Sequence, residues 1–218
     1  YLVDCDNVVL KGIKFYNNCA RAFTNPSATA AYGYKRCISI LGDGEGGALY
    51  TSYGRKQKLI DVEFVNNVAT HMGGAISING FEYTEMSITN AVFSYNEAAG
   101  SMKCYNEDAY KFVVGGAVCI DHGNLSLTSA VFSKNIAAAS AYSSNYIASA
   151  YAYGGAIATY SANVNISAAK FYSNSAYAEA KGATSVCSAY GGALYACDGT
   201  TQMINTEFQN NAASSGGA

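Results

Sequence analysis

The feature that most constrains the fold of this chain is a tandem repeat of two short motifs. The first is a glycine pair followed by a small residue and usually an aliphatic one, as in GGALY at 46–50. Copies of it begin at residues 46, 73, 115, 154, 191 and 216. The second motif is a phenylalanine followed three positions later by asparagine. Its six copies are Phe15/Asn18, Phe64/Asn67, Phe93/Asn96, Phe132/Asn135, Phe171/Asn174 and Phe208/Asn211.

The spacing between the motifs is regular on one side of the unit and variable on the other. From the second glycine to the next Phe the distances are 17, 19, 16, 16 and 16 residues (47 to 64, 74 to 93, 116 to 132, 155 to 171, 192 to 208). From Phe to the next second glycine they are 10, 23, 23, 21 and 9 (64 to 74, 93 to 116, 132 to 155, 171 to 192, 208 to 217). Length variation at one place predicts stacked supersecondary units with loop insertions on one face.

The residues ahead of each Phe alternate between apolar and polar. Leu125, Leu127 and Ala130 precede Phe132 in this way, which is strand periodicity. Another short strand follows each glycine pair and ends at turn residues. Helical spacing and helix caps are missing. Several short strands per repeat predict an all-β fold, a parallel β-helix forming a single repeat domain over residues 1–218.

Stacking of such units explains why the motifs recur. Equivalent residues of successive turns lie about 4.8 Å apart. A glycine column permits a sharp corner and close backbone approach. The phenylalanines are expected to form an internal aromatic stack, and the asparagines a ladder in which each side-chain amide bonds to the amides above and below it.

The paired GGA[ILV] and FxxN motifs resemble the repeat region of chlamydial polymorphic outer membrane proteins and similar repeats of algal and protist surface proteins. The resemblance covers the chain from about Phe15 to Ala218. It implies a right-handed parallel β-helix outside the cell that serves adhesion or surface structure rather than catalysis. The Tyr/Ala/Ser-rich insertions, the cysteines and two sequons depart from the bacterial pattern and suit a secreted eukaryotic protein better.

Composition argues against two classes of partner. Charged residues make up 13% of the chain, the formal charge is −2, and Lys and Arg are not clustered, so nucleic-acid binding is not expected. The most apolar stretch, which starts at Ile136, is interrupted by Ser, Asn and Tyr, so no direct membrane span is expected either.

Seven cysteines without CxxC spacing favour an oxidising, extracellular setting, at the cell surface or beyond it. Cys187 and Cys197 flank one glycine pair and are candidates for a disulfide. The alternative, that several cysteines are free buried thiols, stays open.

No catalytic, cofactor or metal site is predicted. Asp121 and Asp198 are expected at equivalent turn positions, where turn geometry explains them better than polysaccharide lyase or hydrolase chemistry. His71 and His122 have no recurrent partner and are expected to be solvated.

Two surface features remain as candidate sites. Asn124 and Asn165 begin sequons at outward strand positions, so both are predicted to be N-glycosylated. The insertions at 137–153 and 176–190 are rich in tyrosine, which suits protein interfaces and sugar stacking, although such loops could equally pack over their own sheet.

Together these features predict a non-catalytic extracellular structural protein. Without polar capping units, its terminal turns would expose unpaired strands, so self-association or flanking repeat domains are expected. End-to-end stacking into a surface filament or appendage is the first expectation. One alternative is an adhesin or carbohydrate-binding β-helix that has glycans as partners and forms one part of a longer chain. The other is a polysaccharide lyase or hydrolase.

Overall fold

Parallel strands stacked turn upon turn form the whole of the described architecture. The structure is a computed structural model that describes residues 2–24, 37–42, 44–80, 83–105 and 107–217. These residues form strands and no helix, and the strands stack as a β-solenoid. The predicted all-β parallel β-helix is therefore confirmed. With no helix in the described ranges, none is present there that could cross a bilayer.

The strands belong to three sheets. The body sheet contains β1 (Leu2–Val3), β2 (Val9–Lys11), β3 (Lys14–Tyr16), β7 (Leu49–Ser52), β8 (Gln57–Val65), β10 (Ile76–Asn79), β11 (Glu85–Ser94), β14 (Val118–Thr128), β15 (Val131–Ser133), β18 (Ile157–Ser167), β19 (Lys170–Tyr172), β22 (Leu194–Ile204) and β23 (Glu207–Gln209). The second sheet contains β4 (Cys19–Ala20), β5 (Ala22–Thr24), β6 (Cys37–Gly42), β9 (Val68–Ala69), β12 (Glu97–Cys104), β16 (Ile136–Ser143), β20 (Ser175–Lys181) and β24 (Ala212–Gly217). The third sheet contains β13 (Ala109–Val114), β17 (Ile147–Tyr153) and β21 (Thr184–Tyr190).

One turn illustrates the course of the chain. It leaves Gly116 as β14, passes Phe132 in β15, continues through β16 and returns through β17 to Gly154. The register is strict, because Phe132 lies opposite Phe93 of the preceding turn and Phe171 of the following one. Five glycine pairs at such corners delimit four complete turns.

The six phenylalanines form one column inside the body. Neighbouring ring centroids are 4.6 to 4.9 Å apart and neighbouring ring planes lie within 6° of parallel. The four middle rings are fully buried among aliphatic residues of the body core. Burial of each such ring contributes about 2 kcal/mol, and each stacked pair adds about 1 kcal/mol.

The six asparagines form a second, polar column beside the phenylalanines. In each turn the Oδ1 atom accepts hydrogen bonds from the backbone N–H and the Nδ2 atom of the preceding asparagine, as Asn135 does from Asn96 at 3.0 Å in both cases. From Asn67 onward, each Nδ2 atom also donates to the carbonyl of the phenylalanine in the preceding turn, as Asn135 does to Phe93 at 3.0 Å. The ladder thus satisfies backbone groups that no strand pairing reaches.

Asn67 shows where the ladder differs from the amide-to-amide column expected from the sequence. Its Oδ1 atom accepts from the Nδ2 atom of Asn18 at 2.8 Å and from the backbone N–H of Asn18 at 3.0 Å. Its Nδ2 atom donates to Oδ1 of Asn96 at 2.9 Å and to the carbonyl of Phe15 at 3.0 Å. The expectation omitted these bonds to the backbone. They allow the polar side chain to be buried without leaving its donors and acceptors unpaired. Four members of the column are fully buried, namely Asn67, Asn96, Asn135 and Asn174.

The glycine pairs form the corner of each turn, and their two members are needed for different reasons. The first glycine has a left-handed backbone, as at Gly115 with φ of 64°. The second allows close stacking, since a Cβ atom on Gly116 would lie 2.0 Å from the carbonyl oxygen of Gly155. The final GGA does not form such a corner, because Gly216 and Gly217 lie within β24 opposite Glu179 and Ala180.

Two further columns of left-handed residues bend each turn. They stand three positions before and two positions after each phenylalanine: Gly12, Asp61, Asn90, Ser129, Ala168 and Asn205 in the first column, and Asn17, Asn66, Tyr95, Lys134, Ser173 and Asn210 in the second. Asn, Asp and Gly tolerate this conformation best, which explains much of the composition of both columns.

Ala168 is the exception whose substitution should stabilise the fold. Its φ is 51° and its side chain is exposed, so Ala168→Gly removes the left-handed strain at little loss of contact. We expect the free energy of unfolding to rise by about 1 kcal/mol in urea denaturation. The matched control is Ala169→Gly at the neighbouring buried position, which should lower the free energy of unfolding. A loss of stability in Ala168→Gly would contradict the assigned backbone conformation.

The long insertions build a two-layered extension, here called the fin. It consists of β12, β16 and β20 in one layer and of β13, β17 and β21 in the other. Between the layers lies a second core, lined mainly by alanines such as Ala139 and Ala150. The Cα atoms of β16 and β17 approach within 8 Å, closer than the ~10 Å usual for packed sheets, because alanine fills so little space.

The insertions at 137–153 and 176–190 are therefore strands, and the expectation of loops was wrong. In β16 the alanines at 137, 139 and 141 supply the inner face, and the outer face carries Ser140 and Tyr142 besides Ile136 and Ala138. Stacking on the equivalent strands of neighbouring turns satisfies the backbone, so the insertions extend the solenoid.

An antiparallel hairpin covers one edge of the fin. Strand β6 pairs with β12 in antiparallel fashion, and β5 pairs with β6. The segment around CISILG at 37–42 is thus not an additional turn of the solenoid. The reversed strand direction ends the parallel stacking at that edge.

Candidate functional site

The corner between the fin and the body carries a cluster of aromatic side chains. Strand β17 ends at Tyr153, the chain turns at Gly154 and Gly155, and β18 carries it on to Tyr160. Tyrosines on the outer face of the fin and on the outer face of the body therefore face each other across the glycine corner. Stacking repeats this arrangement in the next turn, where Tyr190 and Tyr195 lie on either side of the corner.

We call this group the tyrosine cluster. It consists of Tyr110, Phe112, Tyr151, Tyr153, Tyr160, Tyr190 and Tyr195. Tyr153 stacks on its register partner Tyr190 with centroids 5.5 Å apart and planes 11° from parallel. Tyr195 lies 4.9 Å from Tyr153 and 5.8 Å from Tyr160. The cluster lines most of an open cavity of about 340 Å³.

A small apolar core of Val114, Cys119 and Ala158 packs against the cluster. Burial raises the pKa of the Cys119 thiol well above its usual range, so this thiol stays protonated. Burial likewise raises the pKa of Tyr153 to about 12 and raises those of Tyr160 and Tyr195. Tyr153, Tyr160 and Tyr195 are therefore neutral phenols at neutral pH, and Cys119 is a neutral thiol rather than a thiolate.

The two carboxylates considered from the sequence do not form a pair. Asp121 aligns with Tyr160 of the next turn and with Cys197 of the turn after it. Asp198 therefore lies one residue beyond the column that contains Asp121. The predicted equivalence of Asp121 and Asp198 was wrong because Asp198 lies one residue farther from its glycine pair than Asp121 does. One strand separates them, which places them roughly 10 Å apart along the axis, outside the carboxyl separation of retaining enzymes.

The two histidines lie in different environments, and only His122 is exposed as expected. His122 is exposed and its Nδ1 atom lies 2.8 Å from Oδ1 of Asp121. His71 is buried, against expectation, and its ring packs edge-on against Phe112 with centroids 4.4 Å apart. The corner beside the fin covers His71, which the sequence position before a glycine pair does not reveal.

The structure separates the two cysteines predicted as a disulfide pair. Cys187 and Cys197 are both free. Cys187 packs against the alanine core inside the fin. Cys197 lies on the outer face of the body, where it aligns with Tyr160 of the preceding turn. The glycine corner between them turns their strands to different faces. Cys5, Cys19 and Cys119 are free as well, and the backbone of Cys104 lies opposite that of Cys37.

The two sequon asparagines lie on the outer face of the body. Asn165 is exposed, and Asn124 is half-buried, accepting a 3.2 Å hydrogen bond from Asn163 of the next turn. N-glycosylation of both stays a prediction.

The sequence contained a signal for the tyrosine cluster. A tyrosine directly precedes the glycine pair at Tyr153 and again at Tyr190, and these positions share one column. What the sequence does not show is that the fin turns its outer face toward the body, which brings Tyr160 and Tyr195 against them.

No family model, no curated protein and no solved structure matches this chain.

Proposed function

We propose that this chain is a non-catalytic structural protein whose solenoids stack end to end in register. The supporting observation is the face of the last described turn. Phe208 is 45% exposed at the end of the aromatic column, and Met203 beside it is 48% exposed. These two side chains, with Ala193 and Leu194, line an open cavity of about 430 Å³.

The polar ladder supports the same proposal. In every earlier turn the backbone N–H and Nδ2 of the asparagine donate to Oδ1 of the next, as Asn174 does to Asn211 at 2.9 Å. Continuing this pattern, Asn211 offers donors at one end and Oδ1 of Asn18 offers an acceptor at the other. A second copy could thus extend both columns by a head-to-tail contact, which propagates into a filament.

The alternatives from the sequence have less support. The rings of Tyr153 and Tyr190 stack on each other, so fewer ring faces are left to stack on a sugar. This weakens the adhesin or glycan-binding alternative. The separation of Asp121 from Asp198 weakens the lyase or hydrolase alternative. The extracellular, cell-surface location stays part of the proposal. It rests on the motif resemblance and on the exposed sequon at Asn165, since the five free thiols lend it no support.

Sedimentation velocity over a range of concentrations tests end-to-end stacking. The unmodified protein should form larger species as concentration rises, and electron microscopy should show rods or filaments. Phe208→Arg places a charge on the stacking face and should shift the protein to monomer. Tyr146→Arg is the matched control, because Tyr146 is 48% exposed and lies at the bend between β16 and β17.

Circular dichroism should show the same strand signal in all three proteins. Monomers at every concentration in the unmodified protein would refute the proposal. Equal assembly of the Phe208→Arg and Tyr146→Arg variants would refute this face as the contact.

A further inference from the structure

The tyrosine cluster brings phenols of successive turns to coupling distance. Tyr195 lies within 4.9 Å of Tyr153, 5.8 Å of Tyr160 and 6.2 Å of Tyr190, measured between ring centroids. The planes of Tyr153 and Tyr195 make an angle of 50°, so the two rings are tilted against each other rather than stacked in parallel. Tyrosines packed only for hydrophobic burial would not need their hydroxyl-bearing rings gathered at an open corner.

We propose that Tyr153 and Tyr195 are joined by oxidative coupling into a dityrosine cross-link between stacked turns. A haem peroxidase with hydrogen peroxide is the class of oxidant required. Each phenol loses one electron and one proton to give a tyrosyl radical, and the two radicals form a carbon–carbon bond between the ring positions ortho to the hydroxyls. The two ortho hydrogens then move to the phenolic oxygens, which restores aromaticity, and hydrogen peroxide is reduced to two molecules of water.

The surroundings of the pair suit this chemistry. Tyr190 stacks on Tyr153 and is 46% exposed, so an oxidant in solution can contact the cluster at Tyr190. Tyr190 also lies 6.2 Å from Tyr195 between ring centroids, so it adjoins both members of the pair.

The cross-link would act on the weakest feature of a solenoid. Stacked turns are held to one another mainly by non-covalent contacts, and the terminal turns open most readily. A bond from β17 to β22 would tie the turn that ends at Gly154 to the last described turn. This inference deepens the proposed structural function, although its readout does not depend on self-association.

The test is peroxidase treatment of the dilute monomer, followed by mass spectrometry. We expect an intact mass lower by two hydrogen atoms, dityrosine fluorescence, and a cross-linked peptide pair containing Tyr153 and Tyr195. Tyr153→Phe and Tyr195→Phe keep the ring and its packing but should each abolish that peptide pair. Tyr146→Phe, at an exposed tyrosine outside the cluster, should leave the peptide pair unchanged.

Undiminished intramolecular cross-linking in the Tyr153→Phe, Tyr195→Phe double variant would overturn the inference, as would products linked only between molecules. Because the monomer is isolated first, failure of end-to-end stacking in the sedimentation experiment leaves this result interpretable.

Discussion

Gly116→Ala should lower the free energy of unfolding by about 4 kcal/mol or more, the range of exceptional single substitutions. The added Cβ atom would lie 2.0 Å from the carbonyl oxygen of Gly155 and 2.6 Å from the carbonyl carbon of Ile136. Both are backbone atoms held by stacking on the next turn, so neither can move without breaking the register. Urea denaturation followed by circular dichroism measures the effect.

Two other glycines separate the causes of this destabilisation. Gly12→Ala meets open space at φ of 66°, so it should cost only the left-handed strain of about 1 kcal/mol. Gly216→Ala, within the final GGA, also meets open space and lies in strand β24, so its effect should stay within about 0.5 kcal/mol. Equal effects in all three variants would show that close stacking of the corners is not the cause.

Asn135→Leu should cost about 3 kcal/mol or more, because it leaves buried backbone groups without partners. Asn135 is fully buried, accepts from the backbone N–H of Asn96 and donates to the carbonyl of Phe93. Leucine has a similar volume and no polar atoms, so it keeps the packing and deletes those bonds. The same denaturation experiment measures the loss.

Asn163→Ala is the control for the ladder. Asn163 is exposed and donates to Asn124 at 3.2 Å on the outer face, where water can replace the lost bond. Its effect should be small. A small effect in Asn135→Leu as well would mean that the buried amide column does not stabilise the stack.

The body of the solenoid was predictable because its signals are local and repeat at constant offsets. Phe and Asn stand three residues apart in every turn, so any stacking in register necessarily places Phe93 over Phe132 and Asn96 over Asn135. The corners follow from the same constancy, since only glycine fits a position where backbones of successive turns meet. The bonds from the asparagines to backbone groups, as at Asn67, depend on side-chain orientation, which spacing does not reveal.

The fin was missed because its inner face consists of alanine. The alternation of Ala137, Ala139 and Ala141 is visible in the sequence, but alanine carries too weak an apolar signal to distinguish a thin core from a small-residue loop. Which side of the fin faces the body depends on how the sheets pack in three dimensions, and the sequence pattern does not show this. For that reason spacing does not reveal that Tyr160 and Tyr195 pack against the column of Tyr153 and Tyr190, or that Cys187 and Cys197 lie apart.

The central claim is that successive repeats stack in strict register, and ring-to-ring nuclear Overhauser effects test it most directly. With the phenylalanine rings selectively labelled, the stacked column predicts strong contacts from Phe64 to Phe93, from Phe93 to Phe132 and from Phe132 to Phe171, whose centroids are 4.6 to 4.9 Å apart. The absence of these contacts, or contacts from these rings to residues one position out of register, would contradict it.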